Sequence, residues 1–168
     1  MTIDEHIHEV IIRGSLDYDP DTGIMTWKRR NSVRIKVGQI AGHVCKNRGY
    51  RTIRVNNKSY LAHRLAFVLM GESVPKYVDH ANGLKDDNRW CNLRPANFGE
   101  NQHNRFRQKN NTSGYKGVTW DKRLGKWKSQ IMVNRSNIHL GLFDCPKEAH
   151  KAYCGAAETY FGEYKNYG

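Results

Sequence analysis

Residues 78 to 94 read VDHANGLKDDNRWCNLR, with Asp79 beside His80, a polar stretch rich in Asn, Gly and Asp, and Asn92 in the apolar run that follows. These residue types suit phosphodiester hydrolysis. That reaction needs a base to deprotonate water, a cation to neutralise charge on the phosphoryl and leaving oxygens, and groups that hold both in place. His80 suits the first task, because imidazole has an unperturbed pKa of about 6.5, nearest neutrality. Asp79 suits the second, as a hard oxygen ligand for magnesium. Asn92 lies twelve positions after His80 (92 minus 80), where a returning strand would come back alongside it and where an amide can orient the base. A helix expected from about residue 97 to 107 puts Asn101 and Arg105, four apart, on one face. Asn101 then offers a neutral oxygen ligand, and Arg105 meets phosphate.

The elements that must position these groups are short. Ile3, Ile7, Val10 and Ile11 have helical spacing and are followed by Gly14 as a stop. LDYDPDTGIMTWK reads as strand, turn, strand, and YRTIRV, Asn56-Asn57, KSYLA as a second hairpin, since Asn tolerates the left-handed torsions a tight turn needs. A helix over 62–70 places Leu65, Val68 and Leu69 on one face before Gly71. Polar residues 106–114 interrupt all periodicity and read as a linker. Beyond them come three short strands, with turns at Asp121 to Gly125 and Asn134 to Ser136. A final helix opened by Pro146 carries a stripe of Ala149, Ala152, Tyr153, Ala156, Ala157 and Tyr160. The boundaries follow: 1–105, linker 106–114, and 115–168.

The 168 residues carry 28 Lys and Arg against 16 Asp and Glu, a net charge of +12, which favours a polyanionic partner. No acid occurs from Thr22 to Gly71, while Arg29, Arg30, Arg51, Arg54 and Lys58 fall within that window among apolar residues of strand pattern. They form a candidate phosphate-tracking surface. No run approaches the roughly 18 apolar residues of a membrane span, and MTIDEHIHEV lacks a secretory pattern. Four cysteines form no CxxC pair, so no structural zinc is expected. An intracellular, cytoplasmic protein that binds double-stranded DNA and no membrane is the expectation.

Asp79-His80, Asn92-Leu93-Arg94 and Asn101, with YLAHRLAFVLM before them, resemble the HNH nuclease motif in its homing-endonuclease form over roughly residues 16 to 105. The resemblance implies a ββα-metal fold with one divalent ion, Asp79 and Asn101 as ligands, His80 as general base and Asn92 fixing the loop around it. Many members have histidine where this chain has Asn101, so Mg2+ or Mn2+ is favoured over a transition metal. His103 is a spare candidate ligand. Asp86 and Asp87 read as turn acids, His63 as structural or phosphate-contacting, Trp90 and Leu93 as core, and Cys91 as a small buried hydrophobe.

SGYKGVTWDKRLGKWKSQI and HLGLFDCPKEAHKAYCGAAETYFGE resemble the Apetala-two or ethylene-response-factor type DNA-binding domain over residues 113 to 163. That family places a three-stranded antiparallel sheet, backed by one helix, in the major groove. Strand parity puts Trp127, Ser129, Ile131 and Val133 on one face and Lys126, Lys128, Gln130 and Met132 on the other. On the third strand Ile138, Leu140 and Leu142 point inward, with Asn137 and His139 outward. Gln130 and Asn137 suit adenine, and Lys116 or Lys128 guanine or phosphate. Thr119, Met132, Asn137 and His139 replace residues usual in the plant domains, so the plant target is not expected.

The fold class expected is therefore α+β: a ββα-metal HNH domain with N-terminal β-hairpins, and a small three-stranded antiparallel sheet packed on one helix. The function expected is a phage or mobile-element DNA endonuclease of the homing type, nicking as a monomer. The rival is a DNA-binding transcriptional regulator with a vestigial nuclease motif, and an RNA-directed nuclease is a third option.

Overall fold

The computed structural model describes residues 3–30, 32–108 and 110–168, with side chains from residue 8 onward within them. It is a mixed helix-and-sheet protein with small antiparallel sheets, in two compact units, Met1–Ala96 and Asn97–Gly168.

The first unit opens with α1 (Ile3–Ser15), which passes directly into β1 (Leu16–Tyr18). Gly14 does not stop the helix. Ser15 carries it one residue further because its carbonyl accepts from Lys28 N at 2.9 Å and its hydroxyl from Arg29 Nε at 3.1 Å. The buried stripe runs through Ile12, with Ile11 partly buried, while Val10 is exposed. The inward placement expected of Ile3 and Ile7 lies outside the described side chains.

β1 pairs with β2 (Met25–Trp27) across a turn closed by Asp19, whose Oδ1 accepts from Asp21 N at 2.9 Å. β3 (His43–Val44), β4 (Arg51–Val55) and β5 (Lys58–Leu61) form a three-stranded sheet in that order. Asn56 and Asn57, at φ 46° and 61°, make the two-residue turn between β4 and β5. α2 (Ala62–Met70) ends at Gly71, at φ 88°, whose N–H caps the last turn. Leu16, Met25, Trp27, Ile53, Val55, Leu65, Phe67, Val78 and Leu93 share one apolar core. Against it lies the two-stranded sheet of β6 (Tyr77–His80) and β7 (Leu93–Ala96).

The second unit begins with α3 (Phe98–His103), capped by an Asn97–Glu100 capping box. α3 is shorter than the helix expected to residue 107. The carbonyls of His103, Asn104 and Arg105 accept from Lys116 Nζ or the Asn166 amide instead of continuing a helical ladder. Arg105 therefore lies past the helix, with its guanidinium on Gln102 Oε1 at 2.8 Å, and does not share a helical face with Asn101.

β8 (Val118–Asp121), β9 (Lys126–Val133) and β10 (Ser136–Phe143) form an antiparallel sheet in the order β10-β9-β8. α4 (Pro146–Phe161) packs on it through Ala149, Tyr153, Ala157 and Phe161. The small alanines let the helix lie close, and Gly117, at φ 75°, has no room for a Cβ beneath the Tyr153 ring. The stripe ends at Phe161, while Tyr160 is exposed. One expectation of strand parity fails. A bulge between His139 and Gly141 shifts the register so that Leu142 pairs with Lys128, and Leu142 faces outward and is exposed. An extra residue in one strand inverts the alternation beyond it.

Candidate active site

β6 breaks the alternation of a half-buried strand, because Val78, Asp79 and His80 are all buried. Asp79 stands opposite Arg94 and His80 opposite Leu93 in the β6–β7 register. Arg94 Nε donates to Asp79 Oδ2 at 2.8 Å, and its Nη2 lies 2.7 Å from the same oxygen. A carboxylate taken this far from water needs such a cation, since an uncompensated buried charge is costly. Residue types alone do not announce this pair; the hairpin spacing that makes Asp79 and Arg94 cross-strand neighbours is its one signal in the sequence.

His80 is 4% exposed. Its ring meets that of His63 edge-on, with centroids 5.1 Å apart at 89°, and Tyr50 lies 5.8 Å from His80 and 5.1 Å from His63. Burial lowers the His80 pKa below the usual imidazole value, opposed by the Asn88 side chain and by the carboxylates of Asp79, Asp87 and Asp86. Burial also drives His63 down to about 3, helped by His80 and Arg64. His63 is thus a neutral ring packed on the candidate base. Of the structural and phosphate-contact roles expected for His63, the contact with His80 fits the structural one, and nothing in the local sequence links the two rings.

The loop from Ala81 to Cys91 is organised by Asn92, itself buried. Asn92 Oδ1 accepts from Asn82 N at 2.9 Å, its Nδ2 donates to Asp87 O at 2.7 Å, and its carbonyl accepts from Ala81 N at 2.9 Å. Asn82 Nδ2 donates to Asp87 Oδ2 at 2.6 Å, and Arg89 grips both Asp87 oxygens at 2.8 and 2.6 Å. The Arg89 hydrogen bond is the main reason Asp87 falls to about 2.

Neighbouring hairpins buttress the same loop. Tyr18 donates to Asn88 O at 2.7 Å, Trp90 N donates to Pro20 O at 2.9 Å, and Gly23 approaches the Asn88–Arg89 backbone too closely for any side chain. Arg51 holds Asp86 with two bonds of 3.0 and 3.1 Å, and Lys85 donates to Arg48 O at 3.2 Å. Arg51, expected to track phosphate, is therefore occupied as a strut. Cys91 is exposed rather than buried, because the turn at Trp90–Asn92 sends the indole against Phe67, with ring centroids 4.8 Å apart, and leaves the thiol outside.

Asp79, His80 and Asn92 fall in the first unit and Asn101 in the second, on α3. His103, the spare ligand candidate, stacks on Phe161 with centroids 3.7 Å apart at 11°. Among the described residues no three His, Cys, Asp or Glu side chains cluster to hold a metal.

The expected DNA contacts divide. Arg29, Arg30, Arg54 and Lys58 are exposed, Arg29 bonding Ser15 and Lys58 lying 5.9 Å from the Tyr60 ring centre. Asn137 and His139 are exposed on β10 opposite Met132 and Gln130 of β9. Lys128 and Gln130 are half-buried beside them, and Lys126 pairs with Asp144 at 2.9 Å. Lys116 has a different place from the one its charge suggested. Its ammonium turns inward to the carbonyls of His103, Arg105 and Asn166 at 3.0, 2.6 and 2.9 Å, and burial pulls its pKa down to about 8.

Residues 60–103 match the family model described as HNH endonuclease, and residues 113–163 match that of the AP2 domain. A 60-residue stretch is 38% identical to Protein 3.8 of Escherichia phage T7, covering 34% of this chain and 50% of the phage protein, so the match spans about half that relative's length. No solved structure matches the chain. No helix among the described residues is long and apolar enough to cross a membrane.

Proposed function

We propose that the chain is a metal-dependent DNA endonuclease of the homing type, hydrolysing one phosphodiester per active site and so nicking duplex DNA as a monomer in the host cytoplasm. The observation that carries it is the β6–β7 hairpin, where a strand ends in Asp79-His80 and the loop beyond is closed on both sides by the buried amide of Asn92. In this reading β6 and β7 supply the two strands of the ββα-metal motif and α3, next in sequence, supplies its helix. His80, kept neutral by burial, takes the proton of the attacking water, and Asn92 fixes the loop around it.

Asp79 and Asn101 would hold the ion. One carboxylate and one amide oxygen suit a hard cation that keeps most of its water, hence Mg2+ or Mn2+ rather than zinc. An ion held there would supply positive charge for the phosphoryl and leaving oxygens. Arg94 already neutralises Asp79 at Oδ2, so an ion held by this carboxylate would have to share it with that guanidinium or displace it. Arg29, Arg30, Arg54 and Lys58, with Lys128, Gln130, Asn137 and His139 on the sheet, would hold flanking duplex. Binding should weaken steeply with salt as condensed counterions are displaced.

The enclosure of His80 and the occupied Asp79 favour a second reading, a DNA-binding regulator whose nuclease motif is inert. Supercoiled plasmid incubated with Mg2+ and the purified chain separates the two. Open circle from the wild type and none from His80→Ala supports the nuclease. Tight binding to the chain's own site, with both proteins equally inactive on plasmid carrying it, supports the regulator.

A further inference from the structure

Asn101, one of the two proposed metal ligands, rides on a helix of only six residues. Isolated helices that short are not stable in water, so something else must hold its shape. The C-terminal end of this helix is held by residues far along the second unit. Lys116 Nζ donates to the carbonyls of His103 and Arg105, the residues either side of the helix cap Asn104. Asn166 Nδ2 donates to Asn104 O at 3.0 Å, and the same Lys116 ammonium binds the Asn166 carbonyl at 2.9 Å. The Phe161 ring at the end of α4 stacks on His103. Asn104 is buried within this cluster. An ammonium has three protons, and here each finds a carbonyl.

We infer that Lys116 is a positioning residue for the nuclease reaction, a clamp by which the sheet-bearing part of the second unit sets the helix that carries Asn101. The inference rests on the metal-ligand role proposed above for Asn101. It assigns Lys116 a task different from binding DNA, and the two tasks differ in what they predict. If the Lys116 ammonium met a phosphate, replacing it would weaken DNA binding and reduce the salt dependence by about one counterion. If it is a clamp, replacing it leaves DNA binding alone and loosens residues 101 to 105.

The test uses the full chain with Lys116→Met, Lys116→Arg and Asn166→Ala. Amide exchange at Asn101, Asn104 and Arg105, measured without metal, should accelerate at least about tenfold in Lys116→Met, while β9 amides such as Ile131 keep wild-type rates. The Mg2+ concentration for half-maximal nicking should rise about fivefold or more. DNA affinity without metal should stay within about twofold. Lys116→Arg should restore most of the protection. Asn166→Ala, which removes the side-chain amide from Asn104 and Gly168 but keeps the carbonyl that Lys116 binds, should give a smaller effect of the same kind and serves if Lys116→Met does not fold. Wild-type exchange at 101–105 in Lys116→Met, or a loss of protection spread equally over β9 and α4, overturns the clamp. So does a drop in DNA affinity with a shallower salt slope. If the wild type itself never nicks, the nuclease reading fails, while the exchange measurements still decide whether Lys116 holds the helix.

Discussion

Two hairpins of this chain, one in each unit, use the same polar residue types to opposite ends. In β6–β7 the strand alternation is broken, with three consecutive buried residues, and the connecting loop is tied by side chains to backbone. In β9–β10 two residues, Asn134 and Arg135, at φ 49° and 67°, make the turn, and alternation holds until the bulge, so Asn137 and His139 stand outward. Asn92 and Asn137 show the contrast most clearly. The first is buried and bonded through both amide atoms to its own loop, and the second is open to a partner. A polar side chain turned inward has shape to maintain, and one turned outward is free to read a ligand.

The largest effect should come from the inward hairpin. His80→Ala should lower nicking by about 10²–10⁴-fold, the usual worth of a positioned general base, with DNA affinity unchanged in a gel-shift titration. Arg94→Met should come next, leaving the Asp79 carboxylate buried without its guanidinium and costing about 3–5 kcal/mol in urea unfolding of the first unit. Adding Asp79→Asn to that variant should recover much of the loss. Asn92→Ala should cost about 2–3 kcal/mol by stranding two backbone groups. Asn137→Ala should shift stability by less than about 0.5 kcal/mol, yet weaken specific DNA binding by about 1–3 kcal/mol. Equal stability losses for Asn92→Ala and Asn137→Ala would dissolve the contrast.

Acid supplies a milder perturbation of the same region. In the unfolded chain His63 takes up its proton near pH 6.5, whereas in the fold burial holds it off until about pH 3. Between those values the unfolded state binds more protons, so the first unit is at full strength above pH 6.5 and weakens as pH falls toward 3. The slope approaches about 1.4 kcal/mol per unit from this group. In the second unit the depressed histidine, His103, is only part-buried, so the urea midpoint of that unit should change less over the same range. A first unit indifferent to pH from 6.5 to 4 would mean that the His63–His80 pair is open to water.

The hairpins, the helix over 62–70 and the backing helix with its alanine stripe were legible because turn chemistry and periodicity are local. Asn56-Asn57, Gly71 and Pro146 announce themselves without reference to the rest of the chain. Parity also gave the outward row Lys128, Gln130, Asn137 and His139. It failed at Leu142 because a bulge at Gly141 adds a residue to the strand; the glycine is its local mark, but the shift itself is set by pairing with β9. The early end of α3 and the inward turn of Lys116 were illegible for a similar reason. Both depend on Asn166, sixty-two positions beyond Asn104.

The sequence by itself determined which chemistry is available, because acid, imidazole and amide at set intervals are matters of residue type and spacing, and it determined the local turns that bring them round. Tertiary structure alone decided which charges are spoken for. Arg51 on Asp86, Arg94 on Asp79 and Lys116 on three carbonyls each trade hydration for a partner supplied by another segment. A cation's role follows from how much water it keeps and which acceptor replaces the rest, and that is a property of packing between distant parts of the chain, to which composition is blind.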